Sequence, residues 1–318
     1  LREWGIPTSP HQRKCGTIDE VVAFVHEWDS QRRKLDYETD GLVIKVDRMD
    51  QRDILGATSR YPRWCIAYKF AAEQAESKLL NVDFQVGKLG TITPRAVMEP
   101  TQLSGTIVRH ASLHNFDQVA RLDVRIGDTV IIEKAGEIIP QVIRVVTEKR
   151  PTGTRKIEPP TKCPVCGGEV EKDEGGVYVR CINPACDAQI KERLKFFCGR
   201  DQMDIESLGE VMIEKMVDKG WLHAYADIYK LPGRRDDVML LEIEQQRKDA
   251  KTGETKKSVV QFGEKRTDKL IEGIEASKAR PLARVLAAMN IRHVGVSTAE
   301  IIAEHFGKTP RARLAPVL

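Results

Sequence analysis

The chain has 318 residues, enough for two to four compact domains. Charged residues make up 31% and hydrophobic ones 41%, a globular balance, and no apolar run approaches the ~18 residues of a membrane span. Net charge is +4, which permits a nucleic-acid partner if basic residues cluster but does not argue for one.

Residues 17–28 predict an amphipathic helix with Thr17 as N-cap and Glu20 in capping-box position. Two lysine-bearing strands follow. They are Asp40-Gly41-Leu42-Val43-Ile44-Lys45-Val46 and Trp64-Cys65-Ile66-Ala67-Tyr68-Lys69-Phe70. Alternate residues of a strand share a face, so Gly41, Val43 and Lys45 oppose Leu42, Ile44 and Val46. In the second strand Cys65, Ala67 and Lys69 oppose Trp64, Ile66, Tyr68 and Phe70. If the strands pair, the narrow face becomes a shallow floor with two ammonium groups, suited to an anion carried on a flat ring. A nucleotide fits that description. From alternation alone, two half-exposed strands with solvated lysines are the favoured reading.

From residue 81 to 146 the pattern turns to short strands at 83–86, 91–93 (stopped by Pro94), 105–108, 128–133 and 138–146. A short helix at 116–122 and a turn at 135–137 interrupt them. Five strands and one helix in under 70 residues suit a small barrel such as the OB-fold, with other small barrels left open. Residues 147–162 have the composition of a linker.

Seven cysteines are spaced unevenly, which excludes an evenly stapled secreted scaffold and fits a reducing cytosol with one metal site. Cys163 and Cys166 are separated by two residues, Cys181 and Cys186 by four, with a hairpin expected between the pairs at Gly175-Gly176. Four soft ligands at such spacing predict structural Zn2+ with no open coordination position. Cys15, Cys65 and Cys198 read as ordinary small apolar residues.

The remainder predicts helices, with a charge-rich solvated insertion at 233–257. Three stretches repeat an apolar residue, a glycine and a helix start, at Gly209, Gly263 and Gly295. A helix-hairpin-helix of this form presents free N–H groups and a dipole end to a DNA phosphate. A fourth copy is expected to start near Leu314-Ala315-Pro316-Val317.

The wording of the two lysine strands resembles the fourth and fifth nucleotidyltransferase motifs of bacterial NAD-dependent DNA ligases. Val86-Gly87-Lys88-Leu89-Gly90-Thr91-Ile92-Thr93-Pro94, Ala111-Ser112-Leu113-His114-Asn115 and the run from Arg125 to Val142 resemble further stretches of the same family. The resemblance implies a multidomain α+β protein. Its expected parts are the end of a nucleotidyltransferase (adenylation) domain at 1–79, an OB-fold at 80–149, a four-cysteine zinc module at 150–192 and a helix-hairpin-helix domain at 193–318. It implies NAD-dependent sealing of nicked double-stranded DNA in replication and repair by a cytoplasmic bacterial monomer, with no membrane partner. Lys45 and Lys69 are the residues expected to bind the nucleotide and neutralise its phosphate, and Asp40 to help place Mg2+ or Mn2+. Lys88 stands where the family usually has Arg, which keeps the charge and loses a two-pronged phosphate contact.

The Lys-x-Asp-Gly segment that supplies the family's covalent nucleophile does not occur among these 318 residues. The opening, Leu1-Arg2-Glu3-Trp4, reads like mid-domain sequence. The expectation is a fragment that cannot adenylate itself, without the amino-terminal part of the adenylation domain or the carboxy-terminal interaction domain. His114 reads as a hydrogen-bonded barrel residue or a DNA contact rather than a proton shuttle. Two competing classes are a non-catalytic zinc and helix-hairpin-helix DNA-binding protein, which leaves Lys45 and Lys69 without a role, and an ATP-using ligase or RNA-capping nucleotidyltransferase, against which the zinc module and repeat order argue.

Overall fold

A computed structural model gives the architecture; the residues described are 2–37, 39–58, 61–135, 139–248 and 255–307. The first helix, α1 (Ile18–Gln31), is capped as its sequence predicts. Thr17 Oγ1 accepts from the Glu20 amide at 3.3 Å, while the Glu20 carboxylate reaches Gly16 N instead of the cap residue. Next come β1 (Gly41–Lys45), α2 (Met49–Leu55) and β2 (Cys65–Lys69), with β1 and β2 forming their own antiparallel ribbon.

The barrel is built from β3 (Gln74–Val86), β4 (Thr91–Leu103), β5 (Thr106–Ser112), α3 (Phe116–Leu122), β6 (Arg125–Ile126), β7 (Thr129–Ala135) and β8 (Ile139–Val145). Its neighbour order is β4-β3-β7-β8-β5, and β4–β5 pairing closes the ring, the topology of an OB-fold. Leu79, Ala96, Met98, Leu113, Val130 and Ile132 fill the interior. The expected strands at 83–86 and 91–93 are parts of two 13-residue strands. Pro94 does not stop β4, because it lies where the partner on one edge changes. Thr91 and Ile92 pair with β11 of the zinc module, and pairing with β5 starts at Arg95. Irregularities at Leu79/Asn81 and Val97/Thr101 let strands this long bend around the core. The turn expected at 135–137 lies largely outside the described residues.

The segment after β8 is held to the barrel. Arg150 Nε and Nη2 contact both oxygens of fully buried Asp128, at 2.8 and 3.0 Å, and Nη1 reaches Asp123 at 2.7 Å. Then β9 (Arg155–Lys156) pairs with β6. Two short strands, β10 (Val170–Lys172) and β11 (Val179–Cys181), make the hairpin expected between the cysteine pairs, and β11 extends the barrel sheet alongside β4. Gly90 marks the join. Its φ is +77, and a Cβ there would lie 2.3 Å from the carbonyl oxygen of Cys181, so only glycine fits. Val86, Ile92 and Phe116 of the barrel share one cluster with Val179, Cys163, Cys181 and Cys186.

Helix α4 (Asp187–Cys198) leaves the last cysteine and runs unbroken through 192–193 into a helical core. That core contains α5 (Glu210–Asp218), α6 (Tyr225–Ile228), α7 (Arg235–Met239), α8 (Glu264–Ser277) and α9 (Leu282–Ala288), and α10 (Val296–Gly307) packs against α9. Between α7 and α8 stands a β-ribbon, β12 (Glu242–Lys248) and β13 (Thr255–Gln261). This corrects the expectation of a purely solvated insertion at 233–257, since Val238, Leu241 and Ile243 are buried. The expected fourth hairpin near Leu314 lies outside the described residues. Among the described residues no helix is long and apolar enough to cross a membrane.

Candidate nucleotide-binding ribbon and metal centre

The ribbon register sets the geometry of the lysine pair. Gly41 faces Lys69, Val43 faces Ala67 and Lys45 faces Cys65, so both lysines stand on the narrow face as their alternation predicts. They are four ladder positions apart, about 14 Å along the strands at ~3.4 Å per residue. Two flexible stems can converge over that distance on one nucleotide and its phosphate. Gly41 is required by close approach: a Cβ on it would lie 2.2 Å from the Tyr68 carbonyl oxygen. Any side chain there would pry the strands apart beside Asp40 and Lys69.

The two ammonium groups differ in their surroundings. Lys69 is ion-paired with Asp40, and this hydrogen bond holds the Asp40 carboxyl below the usual carboxylate range. Lys45 is exposed and has no carboxylate partner among the described residues. One cation of the floor is therefore oriented by a carboxylate and the other is open to an incoming anion. On the opposite face α2 covers one end only, where Arg52 donates to Val46 O and stacks over Trp64 with its guanidinium 4.4 Å from the ring centre. Ile66 and Tyr68 remain exposed.

Sequence reasoning missed Arg32. Its guanidinium donates to Thr39 O at 3.1 Å and lies 4.6 Å from the centre of the Phe70 ring, bridging the residues that flank β1 and β2. It borders a cavity of about 410 Å3, which Arg33, Thr39, Glu73, Ser104 and Lys134 also line. The hydroxyl of Thr39 is buried there without a hydrogen-bond partner. The basic run Arg32-Arg33-Lys34 just ahead of the first lysine strand was the available signal.

The four cysteines converge as their spacing predicts, with all sulfurs within 4.8 Å of one another. Cys163 and Cys186 are 3.9 Å apart and Cys166 and Cys181 3.6 Å. A tetrahedron with Zn–S bonds of 2.3 Å sets its sulfurs about 3.8 Å apart, so the donor set fits Zn2+. A hydrogen bond from the Gly168 amide pulls the Cys166 thiol down to about 6, while burial pushes Cys181 up to about 12. Buried Gln189, on α4, donates to the carbonyls of Cys181 and Asn183 at 2.9 and 3.0 Å, tying the second knuckle to the helix. Cys198 is buried elsewhere in the helical core and has the environment of a structural thiol.

Asp40 does not gather acidic neighbours. Among the described residues the four cysteines form the sole cluster of three or more potential metal ligands. The residues around Asp40 therefore do not build a Mg2+ or Mn2+ site by themselves.

Lys88 lies in the β3–β4 turn with its ammonium over the Phe196 ring of α4, and burial lowers its pKa. Its charge is engaged inside the molecule. His114, with φ +61, shares a hydrogen bond of 2.8 Å with Gln141, as a barrel residue. Gly209, Gly263 and Gly295 each directly precede a helix, α5, α8 and α10, and each gives its carbonyl to the first helical hydrogen bond. A Cβ at Gly209 or Gly295 would meet nothing within 4 Å, so the space above these helix starts is open.

The lysine-bearing ribbon thus leads into an OB barrel on which a four-cysteine module is docked. Residues 1–73 match the NAD-dependent DNA ligase adenylation domain, 76–154 the NAD-dependent DNA ligase OB-fold domain and 162–188 the NAD-dependent DNA ligase C4 zinc finger domain. The chain is 43% identical over 307 residues to a DNA ligase of Lysinibacillus sphaericus (strain C3-41), covering 96% of this chain and 43% of that protein. It is 44% identical over 306 residues to a DNA ligase of Bacillus cereus (strain AH820), with the same coverage. It thus spans 43% of the length of these relatives. The chain belongs to the NAD-dependent DNA ligase family.

Proposed function

We propose that the protein carrying these residues seals nicks in duplex DNA with NAD, and that this chain supplies the phosphate-neutralising half of its nucleotide site. The observation that carries the reading is the common face of Lys45 and Lys69, floored by Gly41, Val43, Ala67 and Cys65. Charge builds on the α-phosphate oxygens as a lysine amine forms a P–N bond and the P–O bond to nicotinamide mononucleotide breaks. Preorganised cations stabilise that charge, and removing one such group typically costs about 10²–10³ in rate. Lys45 meets the phosphate directly, and Lys69, oriented by Asp40, holds the other end of the nucleotide. In the later steps AMP passes to the 5′-phosphate at the nick, and the 3′-hydroxyl then displaces it.

The nucleophilic lysine is not among these residues, so the 318-residue chain alone is expected to form no covalent AMP adduct. The divalent cation belongs to the whole enzyme, and no step here runs through it. Zn2+, held by Cys163, Cys166, Cys181 and Cys186, has a structural role because four thiolates leave it no open position. The helix starts at Gly209, Gly263 and Gly295 are proposed phosphate contacts that position the duplex without reading sequence. The proposed setting is a monomer in the bacterial cytoplasm.

The test is a chimera in which residues 1–318 replace the matching segment of the Lysinibacillus sphaericus DNA ligase. It is expected to seal a nicked duplex with NAD and not with ATP. A folded, zinc-loaded chimera that binds the duplex but seals with neither would refute the reading.

A further inference from the structure

The end of the lysine ribbon where Lys45 faces Cys65, the last pair of the ladder, is held from behind by the side chain of Arg52. A two-stranded ribbon on its own is marginally stable in water, and its end pairs open first. Lys45 stands at such an end without a carboxylate partner among the described residues, so its place is set by its backbone. One main-chain hydrogen bond continues past it, from Val46 N to Trp64 O at 2.9 Å. Val46 follows Lys45 in the chain and Trp64 precedes Cys65. Arg52 of α2 ties these two residues together. Its Nε donates to Val46 O at 2.5 Å, and its guanidinium lies 4.4 Å from the centre of the Trp64 ring. The backbone of Arg52 is anchored as well: Gly56 N donates to Arg52 O at 2.9 Å, and Arg63 N, next to Trp64, donates to Gly56 O at 3.0 Å. Arg32 repeats the arrangement at the opposite end of the ribbon, donating to Thr39 O and stacking over Phe70. That end also carries the ion pair of Asp40 with Lys69, which the Lys45 end does not match among the described residues.

We propose that Arg52 is a positioning residue for the nucleotide step, holding the end of the ribbon so that the Lys45 ammonium stands where charge builds on the phosphate. The proposal rests on the nucleotide-site reading above and adds to it a residue that does not touch the nucleotide. Trp64, over which Arg52 stacks, belongs to the bulky face, opposite the face that carries Lys45. Arg52 therefore acts on the phosphate only through the ribbon. An arginine suits the task because its planar guanidinium can lie on a ring by its face and donate along its edge at once. Releasing this end lets the Lys45 backbone shift, and a misplacement of about 1 Å can cost about 10²-fold in rate. The loss should fall on the rate at saturating NAD and spare KM, since Lys45 stabilises charge that is present in the transition state.

The experiment follows formation of the covalent AMP adduct from NAD in the chimera described above. It compares Arg52→Met and Arg52→Lys, each alone and combined with Lys45→Ala or Lys69→Ala. Arg52→Met keeps the stem and removes the donor and the cation. It should slow adduct formation by about 10- to 100-fold at saturating NAD, with KM nearly unchanged. Arg52→Lys keeps the charge and a donor and should recover part of that loss; it carries the same test if Arg52→Met fails to fold. A residue that acts through Lys45 has nothing to add once that amine is gone, so the Arg52→Met/Lys45→Ala protein should be no slower than Lys45→Ala. On the Lys69→Ala background, Arg52→Met should slow the reaction again by its own factor. An unaltered rate in Arg52→Met overturns the proposal. So does a full additional loss on the Lys45→Ala background, which would make Arg52 a general support of the fold. An unaltered rate in Lys45→Ala itself would instead remove the nucleotide-site reading beneath the proposal.

Discussion

Lys69 and Asp40 are ion-paired beside the ribbon, and this contact distinguishes Lys69 from Lys45 on the same face. The pair orients one cation and leaves the other free. It also lowers the Asp40 pKa. A carboxyl depressed in the folded state contributes stability above its unfolded pKa, near 3.9, and that contribution is lost as pH falls through the folded value. The Asp40 side chain is 44% exposed, so the contribution to stability is small. The direct check is the carboxyl carbon resonance of Asp40 followed through acid titration. It should titrate below the usual range in the wild type and return toward about 3.9 in Lys69→Ala.

Zinc removal should loosen the barrel as well as the module. Strand β11 pairs with β4, Cys181 N donates to Gly90 O at 2.9 Å, and the two parts share one apolar cluster. Chelation should release one zinc per chain and greatly accelerate hydrogen exchange at the Cys181 amide and along the Thr91–Ile92 edge. Protection along the central β3–β7 pairing should change little. Cys186→Ser should give the same pattern without chelator, since this fully buried sulfur completes the ligand set.

Gly90→Ala should separate the module from the barrel by a different route. A methyl group at φ +77, set against the Cys181 carbonyl, costs strain and displaces β11. Loss of more than about 1 kcal/mol of stability is expected for such a site. Thermal unfolding with zinc quantitation tests it: a lowered midpoint with bound zinc retained below the transition is the expected result.

Arg150→Ala should be among the more damaging changes away from the ribbon. Asp128 is fully buried, and Arg150 contacts both its oxygens. Removing the guanidinium leaves that carboxylate without its counter-charge, at a cost of about 3 kcal/mol. The denaturant midpoint of the barrel measures this, and Arg150→Lys should recover part of the loss.

The lysine face and the zinc site were legible because both rest on local periods. Alternation fixes which strand residues share a face, and the two-residue and four-residue gaps fix which cysteines meet. Helix starts at Gly209, Gly263 and Gly295 were legible for the same reason. The 14 Å offset of Lys45 from Lys69 was not, since cross-strand register depends on pairing rather than on either strand alone. Pro94 misled because a proline reads as a strand stop, whereas here it falls where an edge changes partner. The β12–β13 ribbon was hidden by its charge: without an apolar stripe, it resembles a solvated loop. Arg32 lies in a basic run that does not say which of its residues meets the ribbon, and packing against Phe70 reveals it.

The central claim is tested most directly by rates of nick sealing in the chimera with Lys45→Ala and Lys69→Ala, measured beside the affinity of each protein for nicked duplex. The account predicts a fall of about 100-fold or more in the sealing rate for each variant, with affinity for the duplex nearly unchanged. Sealing at the unaltered rate by either variant would contradict it.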